Sequence, residues 1–302
     1  MQKDLTLSPE ANHDNAKKIF DNLDVSESTR KDYQYRVGLF VDYIRRNNFS
    51  RNSYLEYKRY LAGRNDVSTS TKNKFLIVAK IFLRELSRLG VMQSDITQNI
   101  KTFKENHKHK KEGLNEEEMQ KLVSWLRELP STPQNTRLRA IIALLTLNGL
   151  RQIEIVRLDF KDLDLVAKTA FVLGKGQDDR EIVHLHPEAV KAVSEYLKVN
   201  KIADGALFVS ISNGSRNHRL TTRGLRQIVQ KSLKSLDIER CVHGFRHYFA
   251  TALINSYKGD LLEVSRYTRH KSIQMLEVYN DNIKQKADLP RYYKVFESIN
   301  FS

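Results

Sequence analysis

Chemistry-bearing side chains are concentrated in the stretch HGFRH, residues 243–247, where two histidines and an arginine fall within about one helical turn. Residues 243 and 246 are three positions apart, so a helix would place both on one face. Other nitrogen-rich or nucleophilic side chains occur in NGLRQIEI, LGKGQ and TRHKSIQMLEVYN. The candidate catalytic residues are Arg151, Lys175, His243, Arg246, His270 and Tyr279.

Together these side chains could transfer a phosphodiester without a metal ion. The guanidiniums of Arg151 and Arg246 can bind non-bridging oxygens bidentately and stay charged at any relevant pH. Arg151 is predicted at the start of a helix, a position that favours anions. Lys175 can protonate a leaving alkoxide, and imidazoles can move protons near neutrality. Tyr279 can attack phosphorus to form a covalent intermediate.

Taken singly, these residues have simpler interpretations. Arg151 could be a surface residue at a helix start, and Lys175 could be an ordinary turn lysine. Tyr279 could be a packing residue near the C-terminus. Only the complete set indicates phosphoryl transfer.

The set resembles the motifs of the tyrosine recombinases, the family of site-specific integrases and Xer-type enzymes, over nearly the whole chain. GLRQIE is similar to the motif of the first catalytic arginine, which implies that role for Arg151 and a supporting role for Glu154. HGFRH is similar to the family's His-x-x-Arg-His box. This similarity implies proton transfer by His243 and phosphate binding by Arg246.

The same resemblance implies the remaining roles. Lys175, in a predicted turn between two strands, matches a mobile lysine implicated as general acid. His270 matches the histidine that contacts the phosphate, and Tyr279, nine residues later, matches the nucleophile. His247 is interpreted as structural, with hydrogen bonds inside its domain. The resemblance also implies that no ATP, metal or other cofactor is required.

Three positions depart from the family pattern. Phe245 stands where leucine is common, and Asn148 precedes the glycine where threonine is common. TRH at 268–270 replaces the usual LGH, so a glycine is missing immediately before His270. Because this glycine is absent, the family pattern does not predict the backbone conformation at His270. The change removes no catalytic side chain.

Three other functions fit parts of the pattern. Zinc could bind His243 and His247 with the HLH stretch at 184–186, but no cysteine or carboxylate stands at ligand spacing and HExxH is absent. A DNA-binding protein without catalysis would explain the charge, but not the catalytic set. A type IB topoisomerase would share the chemistry without needing assembly on paired sites.

The first 105 residues predict a helical bundle. In the stretch at 26–47, apolar residues recur at offsets of 0, 4, 7, 8 and 11, which describes one face of a helix. The stretch at 68–90 shows a similar helical spacing. The polar faces are basic, as expected of a surface that contacts many phosphates. The DNA-binding candidates here and in the linker are Arg36, Arg45, Arg46, Lys72, Lys74, Arg84, Lys108, Lys110 and Lys111.

A polar, lysine-rich linker is predicted at 106–113, followed by a mostly helical domain at 114–302. Asn115 and Glu118 form a variant of the capping box. TAFVL, GKGQDD and REIVHL predict a strand, a tight turn and a second strand. Helical periodicity returns after Pro187.

Charge makes nucleic acid the expected partner. The 302 residues include 51 Lys and Arg against 36 Asp and Glu, for a net charge of +15. Such an excess attracts phosphate polyanions. No apolar run approaches the roughly 18 residues of a membrane span. The N-terminus also lacks the apolar core of a signal peptide. The single Cys241 fits a reducing cytoplasm.

The resemblance implies an architecture and an assembly as well. A SAM-like helical core-binding domain and a mostly helical catalytic domain with a small antiparallel sheet would form a C-shaped clamp around double-stranded DNA. Four protomers would join two DNA sites and pass through a Holliday junction. Residues 290–302 carry a compact apolar stripe, which we interpret either as packing on the chain's own domain or as a helix donated to a neighbouring protomer.

Overall fold

The computed structural model describes residues 13–105, 113–174, 179–211, 217–270, 272–277 and 280. The chain forms two compact units, Met1–His107 and Lys108–Ser302. Both are mainly helical and the second contains a small antiparallel sheet, which confirms the predicted fold class. Across the described residues, no helix is long and apolar enough to cross a membrane.

The N-terminal unit is a bundle of short and long helices. Ser26 accepts the Thr29 N–H at 3.3 Å and begins α2, and Ser68 accepts the Thr71 N–H at 3.2 Å and begins α4. A 3-10 turn at Ile19–Asn22 follows α1. The described helices are α1 (His13–Lys18), α2 (Glu27–Asn47), α3 (Ser53–Gly63) and α4 (Thr69–Arg88).

Aromatic side chains fill the core of this unit. The predicted apolar face of α2 is buried at Val37, Phe40, Val41 and Ile44. The rings of Phe40 and Tyr57 meet edge to face, with centroids 4.9 Å apart. The periodicity of the sequence therefore identified the buried face of α2 correctly.

The second unit begins with three helices and a hairpin-like sheet. The predicted capping box is confirmed, because Asn115 and Glu118 exchange hydrogen bonds of 2.8 and 2.9 Å. The three strands pair antiparallel in the order β1-β2-β3. These elements are α5 (Glu116–Glu128), α6 (Pro133–Leu147), α7 (Gln152–Arg157), β1 (Leu163–Asp164), β2 (Thr169–Leu173) and β3 (Arg180–His184).

Four helices complete the described part of this unit. The α10 helix contributes Phe245 to the main core, while Ala250 and Ile254 pack with Val264 of α11 and with Leu276. This second cluster holds α11 against α10. The elements are α8 (Pro187–Asn200), α9 (Thr222–Lys234), α10 (His243–Ser256) and α11 (Leu261–Thr268).

Candidate active site

Gly149 lies between α6 and α7 and lets the chain change direction between the two helices. Its φ of +57° is a left-handed conformation, and a Cβ there would lie 2.2 Å from Cδ1 of Phe249. A side chain is therefore excluded by both backbone strain and contact. The Gly149 carbonyl accepts a hydrogen bond of 2.5 Å from Nη1 of Arg246. The turn before Arg151 is thus attached to α10.

Arg151 immediately precedes α7, and Glu154 orients it. The Glu154 carboxylate accepts the Arg151 main-chain N–H through Oε2 and the Arg151 Nη1 through Oε1, both at 2.8 Å. Glu154 is completely buried, whereas the Arg151 side chain keeps 33% exposure. The structure therefore brings together the two residues that the sequence motif pairs, and leaves the guanidinium accessible to a phosphate.

Glu154 is ionised despite its burial. Burial by itself would raise the pKa of this carboxyl, but the positive charge of Arg269 and hydrogen bonds from Arg151 and Arg269 outweigh burial. The pKa consequently lies below its ordinary value. The result is a buried carboxylate held between two guanidiniums.

Arg246 lies on α10 and is almost entirely buried, with 3% exposure. Its guanidinium donates to the carbonyl of Gly149 and, through Nη2, to the carbonyl of Thr268. It therefore links the turn before α7 to the end of α11. Two main-chain carbonyls fix the direction of the guanidinium before any phosphate arrives.

The two histidines of HGFRH differ in exposure. His243 is the first residue of α10 and is exposed, whereas His247 is buried. Their rings meet edge to face with centroids 4.9 Å apart. A Cβ on Gly113 would lie 2.7 Å from the His247 Cβ, so the chain passes tightly over this residue. His247 is therefore packed inside its unit, and its structural role stays a prediction.

His270 follows α11 and is hydrogen-bonded through Nδ1 to Thr268 Oγ1 at 2.8 Å. Burial, reinforced by the positive charges of Arg246 and Arg151, lowers the pKa of this imidazole to about 3. The ring is therefore neutral near physiological pH. A neutral imidazole can hydrogen-bond a phosphate oxygen, and the phosphate contact implied for His270 stays a prediction.

We expect the His270 imidazole of the DNA-free chain to stay neutral from pH 8 down to about pH 4. The proton binds more readily in the unfolded chain, so the stability associated with the neutral ring is present above about pH 6.5 and is lost as the pH falls. NMR of the His270 Cε1–H group against pH tests this. The same signal in the urea-unfolded chain should titrate near the ordinary value of 6.5. An inflection near 6.5 in the folded chain would contradict the expectation.

Arg269 was not among the predicted site residues, yet it lies at the centre of the cluster. It ends α11 with φ +54° and ψ +45°, the left-handed conformation that glycine adopts without strain. For a residue with a Cβ this conformation costs roughly 1–2 kcal/mol. The TRH sequence therefore keeps a glycine-like backbone at the position where the family pattern has glycine.

Two predicted catalytic residues, Lys175 and Tyr279, lie outside the described residues, as do Lys108, Lys110 and Lys111 and the tail at 290–302. The strands β2 and β3, which precede and follow Lys175 in the chain, pair with Leu173 opposite Arg180. Near Tyr279, Leu276 and Asn280 are both buried.

The basic candidates of the N-terminal unit divide into two groups. Arg36 donates to Asp32 at 2.7 Å and lies over the Phe75 ring, 5.3 Å from its centroid, while Lys72 donates to the Ala62 carbonyl at 2.9 Å. These two residues are half-buried and bond within their own unit. The exposed candidates are Arg45, Arg46, Lys74 and Arg84, of which Arg84 also pairs with Asp95 of its own unit at 3.3 Å.

Zinc coordination gains no support from the described side chains. Among them, no group of three His, Cys, Asp or Glu residues could hold a metal ion. His186 instead caps α8, because its Nδ1 accepts the Glu188 N–H at 3.2 Å. The geometry thus brings Arg151, Arg246, His243 and His270 together on a mainly helical scaffold. The donors of such a cluster could bind and activate a phosphodiester.

Comparisons with known proteins identify the family. Residues 112–286 match the phage integrase family. A tyrosine recombinase XerC from Leptospira interrogans serogroup Icterohaemorrhagiae serovar copenhageni is 25% identical over 291 residues, covering 93% of this chain and 92% of the relative. The chain therefore belongs to the phage integrase family, and it is a tyrosine recombinase, a DNA breaking and rejoining enzyme.

Solved structures show the same fold. The XerH site-specific recombinase bound to palindromic difH substrate in a post-cleavage complex has a TM-score of 0.70 at 20% identity, covering 93% of this chain and 84% of that one. A lambda integrase tetramer bound to a Holliday junction has a TM-score of 0.66 at 14% identity, covering 88% and 75%. At these identities the likeness concerns the fold alone.

Proposed function

We propose that this chain is a site-specific recombinase that cleaves and rejoins DNA strands through a 3′-phosphotyrosyl intermediate and a Holliday junction. The observation that carries the proposal is the convergence of Arg151, Arg246 and His270. Arg246 binds the carbonyls on either side, at Gly149 and Thr268, and so draws three separate motifs into one cluster. Family membership favours this function over a non-catalytic DNA-binding protein or a type IB topoisomerase.

The proposed cleavage step uses each residue at a defined atom. Arg151, Arg246 and the neutral His270 bind the non-bridging oxygens of the scissile phosphate and stabilise charge that develops there. The phenolic oxygen of Tyr279 attacks phosphorus and gives its proton to His243. The bond from phosphorus to the 5′ oxygen breaks, and Lys175 protonates that leaving oxygen.

Rejoining is the reverse reaction with a different strand. A free 5′ hydroxyl attacks the phosphotyrosyl phosphorus and releases Tyr279, so the energy of the phosphodiester is retained and ATP is not needed. Exchange of one pair of strands produces a Holliday junction. Exchange of the second pair resolves it.

The proposed partner is double-stranded DNA, contacted by both units. Exposed basic residues of the N-terminal unit, such as Arg46 and Lys74, would contact phosphates, as would the linker lysines. We infer a homotetramer on two DNA sites, with residues 290–302 coupling neighbouring protomers. The lambda integrase tetramer on a Holliday junction supports this assembly. A cytoplasmic location fits such a substrate.

Covalent capture tests the proposed function. Wild-type chain is incubated with a supercoiled pool of DNA fragments in EDTA, and SDS-resistant protein–DNA adducts are isolated and sequenced. We expect adducts from the wild type and none from Tyr279→Phe, because only the phenolic oxygen can form the phosphotyrosyl bond. Tyr267→Phe, which alters an exposed tyrosine of α11, is the matched control and should form adducts like the wild type.

Two outcomes would contradict the proposal. An adduct from Tyr279→Phe would place the nucleophile at another residue. Failure of the wild type to form an adduct with any fragment of the pool, despite binding DNA, would favour a DNA-binding protein without catalysis. The sequenced fragments from a successful capture define the duplex used in the experiments below.

A further inference from the structure

We propose that Arg269 is a positioning residue of the active site, which holds Arg151 ready for the scissile phosphate by sharing the carboxylate of Glu154. This inference rests on the proposed function, since it concerns how the phosphate-binding arginine is oriented. The Arg269 side chain itself has an exposure of only 9%, which leaves it little surface to offer a phosphate.

The shared carboxylate is the first observation. Nη2 of Arg269 donates to Oε2 of Glu154 at 2.8 Å, and the same Oε2 accepts the main-chain N–H of Arg151 at 2.8 Å. Oε1 of Glu154 accepts Nη1 of Arg151. The two guanidiniums therefore lie on one carboxylate, and movement of Glu154 would move Arg151. Bonds to both oxygens restrict rotation of the carboxylate.

The main chain of Arg269 supplies a second link. Its carbonyl oxygen accepts Nη2 of Arg151 at 3.4 Å. One residue therefore contacts Arg151 directly through its backbone and indirectly through its side chain. The left-handed conformation at Arg269 directs both groups toward α7, and the next residue is His270. The orientation of two phosphate-binding residues is thus coupled through one position.

The positive charge of Arg269 affects how strongly Glu154 neutralises Arg151. A single carboxylate beside Arg151 would neutralise the guanidinium that has to bind an anion. With Arg269 on the same carboxylate, the charge of Glu154 is shared between two cations and does not act on Arg151 alone. Glu154 can therefore orient Arg151 without cancelling its attraction for phosphate.

Arg269 also approaches β3, the strand that follows Lys175 in the chain. Nη1 of Arg269 lies 4.0 Å from Oε2 of Glu181 on β3. Glu181 is opposite Val172 of β2 in the hairpin that carries Lys175 between its strands. Arg269 consequently lies between the helix of the first arginine and this hairpin, as expected of a residue that positions other groups.

Arg269→Gly tests the proposal without forcing a strained backbone, because glycine adopts the left-handed conformation freely. The matched control is Lys201→Gly, at an exposed residue that ends α8 with φ +53° and ψ +43°. Both variants change the backbone in the same way, but only the first removes the contact with Glu154. Arg269→Lys keeps the charge and should recover part of the lost rate.

Single-turnover cleavage of the captured duplex is measured at saturating protein. We expect Arg269→Gly to cleave about 10- to 100-fold more slowly, as misplacement of a reacting group by about 1 Å does. DNA affinity should change less than about 3-fold, because only 9% of the Arg269 side chain is exposed and able to bind DNA. Lys201→Gly should match the wild type in both rate and affinity.

A double variant that also changes Glu154 distinguishes a positioning role of Arg269 from a general loss of stability. If Arg269 acts through Glu154, the double variant Glu154→Gln with Arg269→Gly should be no slower than the slower single variant. Hydrogen exchange of the Arg151 amide, followed by NMR without DNA, should accelerate in Arg269→Gly and stay unchanged in Lys201→Gly.

The outcomes are distinct. The proposal for Arg269 would be overturned if Arg269→Gly cleaved at the wild-type rate with unchanged hydrogen exchange at the Arg151 amide. It would also be overturned if the two substitutions of the double variant multiplied their effects on the cleavage rate. Absence of any covalent adduct from the wild type would instead overturn the proposed function. In that case the Arg151 amide still decides whether Arg269 holds Arg151 in place.

Discussion

Arg246→Gln is expected to lower the rate of DNA cleavage by roughly 10²- to 10³-fold, the range found when one preorganised ligand of a developing negative charge is removed. Arg246 is buried and already held by the carbonyls of Gly149 and Thr268, so its guanidinium needs no reorganisation when the phosphate binds. Glutamine is neutral and too short to bond both carbonyls. DNA affinity should change only a few fold, because the many other basic residues supply most of it.

A neutral substrate gives a specific readout for the Arg246 prediction. Replacing a non-bridging oxygen of the scissile phosphate by methyl removes the charge that the guanidinium binds. The rate difference between wild type and Arg246→Gln should therefore shrink on the methylphosphonate duplex. An undiminished difference would show that Arg246 supports the fold and not the transition state.

A second buried arginine provides the control. Arg137 is also buried, with 7% exposure, and its Nη1 donates to the Val209 carbonyl at 2.7 Å. Arg137→Gln removes a comparable main-chain hydrogen bond, which costs stability of about 1–3 kcal/mol. It should still cleave at close to the wild-type rate at a temperature where both variants are folded. Equal loss of cleavage in both variants would contradict the assignment of Arg246.

Glu154→Gln is expected to lower the free energy of unfolding by about 3–5 kcal/mol, the cost of leaving the largely buried cation of Arg269 without its anion. Arg151 and Arg269 both bond this carboxylate, and the amide of glutamine offers one acceptor oxygen without charge. Urea unfolding monitored by circular dichroism measures the change.

The pH dependence of stability follows from the same carboxylate. Because the pKa of Glu154 lies below its ordinary value in the folded chain, its contribution is present above the unfolded pKa of about 4.3 and is lost as the pH falls through the folded pKa. Glu154→Gln should lose less stability than the wild type on acidification below about pH 4.3. A difference between the two chains that stays constant with pH would contradict an ionised Glu154.

An exposed glutamate is the matched control. Glu188 also stands in the first turn of a helix and pairs with Lys191 at 2.6 Å, but it is exposed to solvent. Glu188→Gln should change the free energy of unfolding by less than about 1 kcal/mol, since exposed ion pairs contribute little. Similar losses in both variants would show that burial of Glu154 is not the cause.

Local patterns predicted several elements of this protein. The 3.6-residue repeat in α2 identified its buried face, and Asn115 with Glu118 identified the capping box at the start of α5. The alternation in TAFVL and REIVH identified a paired hairpin. These features depend on residues a few positions apart, or on the polarity of a single face. They can therefore be predicted from a short stretch of sequence.

Contacts among the site residues were less accessible from the sequence. Arg269 was noticed only because it replaces a glycine, and nothing nearby in the chain indicates a bond to Glu154, which lies on another helix. The inward turn of Arg36 onto Phe75 is similar, because a basic residue on a polar helix face can point to solvent or to a neighbouring helix. Packing between helices decides such orientations.

The sequence by itself determined the order, type and spacing of the catalytic motifs, and therefore the family and the phosphoryl chemistry, because motif spacing reflects local helix and turn geometry. Only the tertiary structure decided that α10 brings Arg246 between Gly149 and Thr268. It also decided that Arg269 shares Glu154 with Arg151, and that burial keeps His270 neutral. Those features depend on distances and dielectric surroundings created when α6, α7, α10 and α11 pack together, which no stretch of neighbouring residues encodes.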